Sequence, residues 1–183
     1  MKISPTELPE VLVLEPRVLE DVRGFFLESY SQESFDQAVG APVRFVQDNH
    51  SRSRRGVLRG LHYQVPPRAQ GKLVRVTSGR ILDVAVDIRR SSPRFGRWVS
   101  VELSAANHLE LWVPSGFAHG FLVLSESADV LYKVTDYYSP ENEGSIRWDD
   151  PSLGVHWPLG RDAIHVSERD GSAPCLSGAR VVE

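Results

Sequence analysis

The sequence predicts a mainly β chain folded as a sandwich or barrel, with a few short peripheral helices. Three observations carry this. Strand-like runs dominate the chain, and those at 97–135 are punctuated by turn signals at roughly the 8–12-residue spacing of a sandwich or barrel. LVRVTSGRILDVAVDIRR at 73–90 holds two strand-like stretches about a Ser78-Gly79 turn, a hairpin pattern. One segment, SQESFDQAVG at 31–40, offers a short helix. The 183 residues are 41% hydrophobic and read as one domain over 1–183.

Taken in order, Val11, Leu12, Val13 and Leu14 form an apolar run that Pro16 interrupts. Phe25, Phe26 and Leu27 lie in a second, after Arg23-Gly24. In the helix, Ser31 or Ser34 caps the start and Gly40 ends it. Residues 43–50 and 57–64 read as strands. Past the hairpin turn, Leu82, Val84, Val86 and Ile88 face one way; Ile81, Asp83, Ala85 and Asp87 face the other. The two carboxylates read first as a solvated outer face; a polar cavity inside a barrel is the alternative. Strands follow at 97–103, 108–113, 119–124 and 128–135. From Asp136 onward the chain is rich in Pro, Gly and Asp and reads as irregular or short-helical, wrapped on the body.

Composition excludes several classes. Lys+Arg 21 against Asp+Glu 24 leaves a net charge of −3, so no global field recruits nucleic acid or an anionic membrane. The longest nearly apolar run, Phe117 to Leu124, is far too short to span a bilayer. The start, MKISPTELPE, lacks the apolar core of a secretory signal, so a cytoplasmic location is expected. The one cysteine, Cys175, permits neither an intrachain disulfide nor a Cys-rich metal site.

Chemistry concentrates in Leu58–Gln64, Pro114–Gly120 and Leu131–Lys133 with Asp136–Tyr138. Pro114-x-Gly116-x-x-His119 is a turn feeding a histidine into a strand, a feature of cupin barrels. A metal cupin also needs a His-x-His pair and a Glu in the earlier strand. Here His62 is followed by Tyr63 and Gln64, and no further His or Glu comes before Lys72. Two histidines without a third ligand make a poor divalent site, so no metal and no cofactor are expected.

Over nearly its whole length the chain resembles the dTDP-4-dehydrorhamnose 3,5-epimerase family. The resemblance rests on RGFFLESY at 23–30, VQDNHS at 46–51, GVLRGLHYQ at 56–64 and AQGKLVRVTSG at 69–79. It continues through DVAVDIR at 83–89, LWVPSGFAHGFLVLSE at 111–126, LYKVTDYYSPENEGSIRWDDP at 131–151 and SERD at 167–170. It implies a metal-free, cupin-like jelly roll, a homodimer that exchanges N-terminal strands, and a dTDP-linked 4-keto-6-deoxyhexose as substrate.

Epimerising such a sugar removes an acidic hydrogen beside the C4 ketone, passes through an enolate, and returns a proton on the opposite face. That needs a base, an enolate stabiliser and an acid. His62 suits the base, with Asp170 as its carboxylate partner by resemblance and Asp83 as rival on strand geometry. Lys72 suits the stabiliser and Tyr132 the acid. Arg23 and Arg59 match diphosphate positions. Tyr138 matches the thymine stack, Phe26 the closure of the base pocket, and His119 a hydrogen bond to the sugar. Glu28, Gln47, Asn49, Glu143 and Arg169 match further binding positions; the family commonly has Lys where Arg169 stands. Competing expectations are a single epimerisation at C3 or C5, a metal cupin, and a non-catalytic nucleotide-sugar binder.

Overall fold

The structure, a computed structural model, describes residues 1–183. Its elements are β1 (Lys2–Pro5), β2 (Leu12–Glu15), β3 (Val18–Asp21), β4 (Gly24–Leu27), α1 (Gln32–Val39), β5 (Gln47–Arg54), β6 (Leu58–Gln64) and β7 (Lys72–Ser78). They continue with β8 (Arg80–Asp87), β9 (Trp98–Ser104), β10 (Glu110–Val113), β11 (Phe117–Val123), β12 (Ser127–Val134), β13 (Glu143–Ser145) and α2 (Glu168–Gly171). One antiparallel sheet runs β1-β2-β10-β7-β12-β5; the second runs β13-β6-β11-β8-β9. Packed face to face, they form the cupin-like jelly roll. β3 and β4 pair only with each other.

Alternation decides what goes between the sheets. Val74, Val76, Leu111, Val113 and Val130 of the first sheet meet Ile81, Ala85, Leu103, Phe117 and Phe121 of the second in one buried cluster. The outer face of the second sheet is also dry. There Leu58, Leu61, Val84, Val86, Ile88, Ala118 and Leu122 pack under Ile146, Trp148, Leu153, Trp157 and Leu176 of the C-terminal tail. Asp150 anchors this cover by accepting from the Leu176 and Ser152 amides at 2.6 and 2.8 Å. The outer face of the first sheet is covered by α1. Ser31 caps that helix by accepting from Ser34 N, and Gly40 ends it at φ 77°. Its fully buried Phe35 packs on Trp112 at 5.2 Å and on Phe45 at 5.2 Å.

Two expectations need correction. The strand expected at 43–50 begins only at Gln47 and runs to Arg54. Helix side chains hold the backbone at Val43: Asp36 accepts from its N–H at 2.8 Å, and Gln32 donates to its carbonyl at 2.6 Å. The face carrying Asp83 and Asp87 is not solvated; both residues are wholly buried. It points between the sheets, and the hydrophobic face opposite it is the one under the tail. The polar-interior alternative is the one that holds. β1, β3 and β13 were not expected; each is only three or four residues long.

Removing the Phe35 ring leaves a cavity beneath α1. Phe35→Ala is expected to lower the unfolding free energy by about 3–5 kcal/mol in chemical denaturation. A loss below about 1 kcal/mol would mean that α1 does not depend on this contact.

Candidate active site

A cavity of about 300 Å³ opens where β5, β6, β7 and β12 converge. Gln47 and Asn49 of β5, His62 of β6, Lys72 of β7 and Tyr132 of β12 line it, with Tyr138 and Glu143 at its rim. All five strand residues lie on the inward face of their strands.

His62 and Arg59 come to the same side of β6 through a local break in strand regularity, although Arg59 is exposed and does not itself line the cavity. Residues three apart on a regular strand face opposite sides. In the β6–β11 ladder His62 pairs with His119, but Arg59 pairs with Phe121. Gly60 and Leu61 therefore oppose the single residue Gly120, a bulge that turns both polar side chains to one side. Leu58 and Leu61 remain on the outer, tail-covered face. Gly60 has φ 128°, and a Cβ there would stand 2.6 Å from the Gly120 Cα. Only glycine suits both constraints.

The inward His62 meets the tail. Its Nε2 lies 2.6 Å from Asp170 Oδ1 on α2. Asp170 Oδ2 accepts from the Gly60 N–H at 3.2 Å, so one carboxylate grips both the imidazole and the bulge. Ser167 caps α2 by accepting from Asp170 N at 3.1 Å. Burial pushes the Asp170 carboxyl up, but the hydrogen bond and charge of His62 and the Gly60 amide outweigh it, leaving it below the ordinary value. The neutral ring then donates from Nε2, which leaves the Nδ1 lone pair as the basic site. Asp83, the rival partner, instead lies 2.8 Å from His119 Nε2.

The Lys72 Nζ donates to the His62 carbonyl at 3.2 Å. Burial pushes this ammonium down to about 8, against the opposing charges of Asp83 and Glu143. Burial raises the Tyr132 phenol; the Arg59 charge counteracts it and Glu143 adds to it. Arg59 Nε donates to Ser53 Oγ at 3.0 Å, which aims the guanidinium. At the rim, Tyr138 Oη donates to Glu143 Oε2 at 2.6 Å, and Arg169 pairs with Glu143 Oε1 at 2.8 Å.

Not every expected residue gathers here. His119 is buried behind the cavity with Asp83 rather than lining it. Arg23, Phe26 and Glu28 are exposed and lie outside it. Arg23 pairs locally with Asp21, and Phe26 is 69% exposed. Gln64 and Gln70 line the cavity but were not singled out, although Gln64 closes the GVLRGLHYQ stretch.

Comparison with known proteins decides the family. The model of the dTDP-4-dehydrorhamnose 3,5-epimerase family matches residues 5–178. The chain is 54% identical over 183 residues, all of both chains, to a dTDP-4-dehydrorhamnose 3,5-epimerase of Salmonella typhimurium. The chain belongs to the dTDP-4-dehydrorhamnose 3,5-epimerase family. Its fold matches the crystal structure of the Legionella pneumophila epimerase RmlC in complex with dTDP-4-keto-L-rhamnose. The TM-score is 0.92 at 51% identity, over 96% of this chain and 93% of that one. It also matches ChmJ, a 3'-monoepimerase from Streptomyces bikiniensis in complex with dTDP-quinovose. Here the TM-score is 0.87 at 38% identity, over 94% and 87% of the two chains. The family is one of isomerases, and a protein named a 3,5-epimerase and one named a 3'-monoepimerase share its scaffold.

Two predictions concern how this epimerase fold holds its histidine. Gly60→Ala forces β6 away from Gly120 and misplaces His62 and Arg59 together; kcat/KM is expected to fall at least about 100-fold. Near-normal turnover would show that the bulge is not what aims them. The depressed Asp170 carboxyl contributes stability that is complete above its unfolded value, near pH 4, and is lost as pH falls through the folded value. The stability gap between wild type and Asp170→Asn is therefore expected to be full at neutral pH and to shrink below about pH 4. A gap independent of pH would contradict the ion pair.

Proposed function

We propose that the protein converts dTDP-4-dehydro-6-deoxy-D-glucose to dTDP-4-dehydro-L-rhamnose, epimerising C3 and C5. The observation that carries this is the placement of a carboxylate-held histidine, a half-buried lysine and a phenol around one cavity. Such a set supplies every group that enolate chemistry needs. His62 takes the C3 or C5 proton onto Nδ1, and Asp170 stabilises the imidazolium that forms. Charge moves onto the C4 oxygen, where the Lys72 ammonium is most effective because it is desolvated. Tyr132 returns a proton on the other face; solvent then takes the proton from His62 and reprotonates the phenolate, which resets the pair before the second carbon is epimerised.

The remaining residues serve the nucleotide. Arg59 takes a diphosphate oxygen, Gln47 and Asn49 contact the sugar or base, and Tyr138 stacks under thymine. Glu143 and Arg169 hold Tyr138 in place and close the rim. His119, held by Asp83 behind the cavity wall, backs the site rather than reaching the sugar. Arg23, Phe26 and Glu28 are read as serving the cavity of a second copy, in a homodimer with exchanged N-terminal strands. The self-paired β3–β4 hairpin supports this, because it exposes Leu19, Phe25 and Phe26 to solvent. We read residues 1–183 as one epimerase domain, supported by the span of the family match. No helix is long and apolar enough to cross a membrane, and we place the enzyme in the cytoplasm.

The test is to incubate the protein with dTDP-4-keto-6-deoxyglucose in D2O and follow C3 and C5 by NMR. Deuterium at both carbons with inversion at both is expected. Label and inversion at one carbon would make it a single epimerase, as ChmJ is named; no exchange would end the enolate reading. The pH profile offers a second check. Lys72 titrates near 8 and must be charged, so kcat/KM is expected to fall above about pH 8. A profile flat to pH 10 would remove Lys72 as the enolate stabiliser.

A further inference from the structure

Gln64 is the last residue of β6 and lies two positions beyond His62 on the same inward face. Its side chain is 3% exposed, and its amide makes three hydrogen bonds, all to backbone. Nε2 donates to the Arg68 carbonyl at 2.6 Å and to the Tyr137 carbonyl at 3.2 Å. Oε1 accepts from the Ser139 N–H at 2.8 Å. The peptide groups on either side of Tyr138 are thus both clamped by one carboxamide, in the manner of a strand partner. The same nitrogen ties the loop that leads into Lys72. That loop is fastened again by Gln70, whose Nε2 donates to the Asp136 carbonyl at 2.7 Å.

We propose that Gln64 is a positioning residue that sets the Tyr138 ring for the nucleotide base and couples that platform to the strand carrying His62. This rests on the assignment of Tyr138 to base stacking. The chemistry favours an amide. A carboxylate of the same shape keeps the acceptor but loses both donors, and a thioether loses all three bonds. Tyr138 itself is more than half exposed, and its side chain is fixed only at the hydroxyl, by Glu143 and Arg169. Without the clamp, the backbone of residues 137–139 gains freedom that ligand binding must remove again.

The experiment compares Gln64→Met, Gln64→Glu, Tyr138→Ala and the Gln64→Met/Tyr138→Ala double variant. It reads dTDP binding by calorimetry and steady-state kinetics on the full substrate. Tyr138→Ala is expected to weaken dTDP about tenfold, the scale of one lost base stack. Gln64→Met is expected to weaken it about fivefold, with the rise in KM exceeding the loss in kcat. In the Tyr138→Ala background Gln64→Met is expected to add less than about twofold, because the platform it positions is gone. Gln64→Glu keeps the shape of the side chain and carries the comparison if the Met variant does not fold. If both Gln64 variants bind dTDP as wild type does while Tyr138→Ala is weakened, or if the penalties multiply in the double variant, the proposal falls. If Tyr138→Ala binds as tightly as wild type, the stacking assignment fails and takes the proposal with it.

Discussion

One hydrogen bond organises this molecule: the contact between His62 and Asp170. It joins a barrel strand to a residue more than a hundred positions later, so it exists only when the tail has closed over the second sheet. A buried carboxylate is costly unless it is fully engaged. Asp170 is engaged three ways, through His62, the Gly60 amide and its place in the capped first turn of α2. The apolar packing of Trp148, Leu153, Trp157 and Leu176 against β6, β8 and β11 brings α2 to that point. Stability and the proposed chemistry therefore share one structure: the cover that dries the outer face of the sheet also delivers the carboxylate that holds His62.

The interior is arranged for a charge that moves. Asp170 backs His62, and Asp83 backs His119, one layer deeper and on the adjoining strand. Lys72 stands where it feels Asp83 and Glu143 yet remains desolvated enough to titrate near 8. An ammonium so placed loses less to water than a surface lysine and is correspondingly more effective beside a developing enolate. Burial raises the Tyr132 phenol and the Arg59 charge counteracts it, so the residue proposed to take the diphosphate also acts on the proposed acid.

Much of this was legible in the sequence, for physical reasons that differ by element. The hairpin at 73–90 was clear because alternation is strong where both sheets bury one face. Gly40 and Ser31 marked α1 because caps are local chemistry. The stretch at 43–46 misled because its apolar residues serve the docking of α1, and the helix side chains that claim its backbone cannot be seen in a strand pattern. Asp83 and Asp87 were misjudged because period alone says which residues share a face, not which face the tail will cover. The bulge was hidden too: Arg59-Gly60-Leu61-His62 looks regular, yet the break in register is what brings both polar residues to one side of the strand. The pairing of Asp170 with His62 came from family resemblance, and the geometry places the two in contact. Arg23, Phe26 and Glu28 came from the same source, but one chain does not bring them to its own cavity.

The central claim is that Asp170 fixes His62 in the tautomer whose Nδ1 is free to accept a proton. Nitrogen-15 NMR of histidine-labelled protein tests it directly, at a pH where the ring is neutral. The account predicts a His62 signal with the proton on Nε2 and an unprotonated Nδ1, with that preference weakened in Asp170→Asn. A wild-type His62 protonated on Nδ1, or a tautomer indifferent to Asp170, would contradict it.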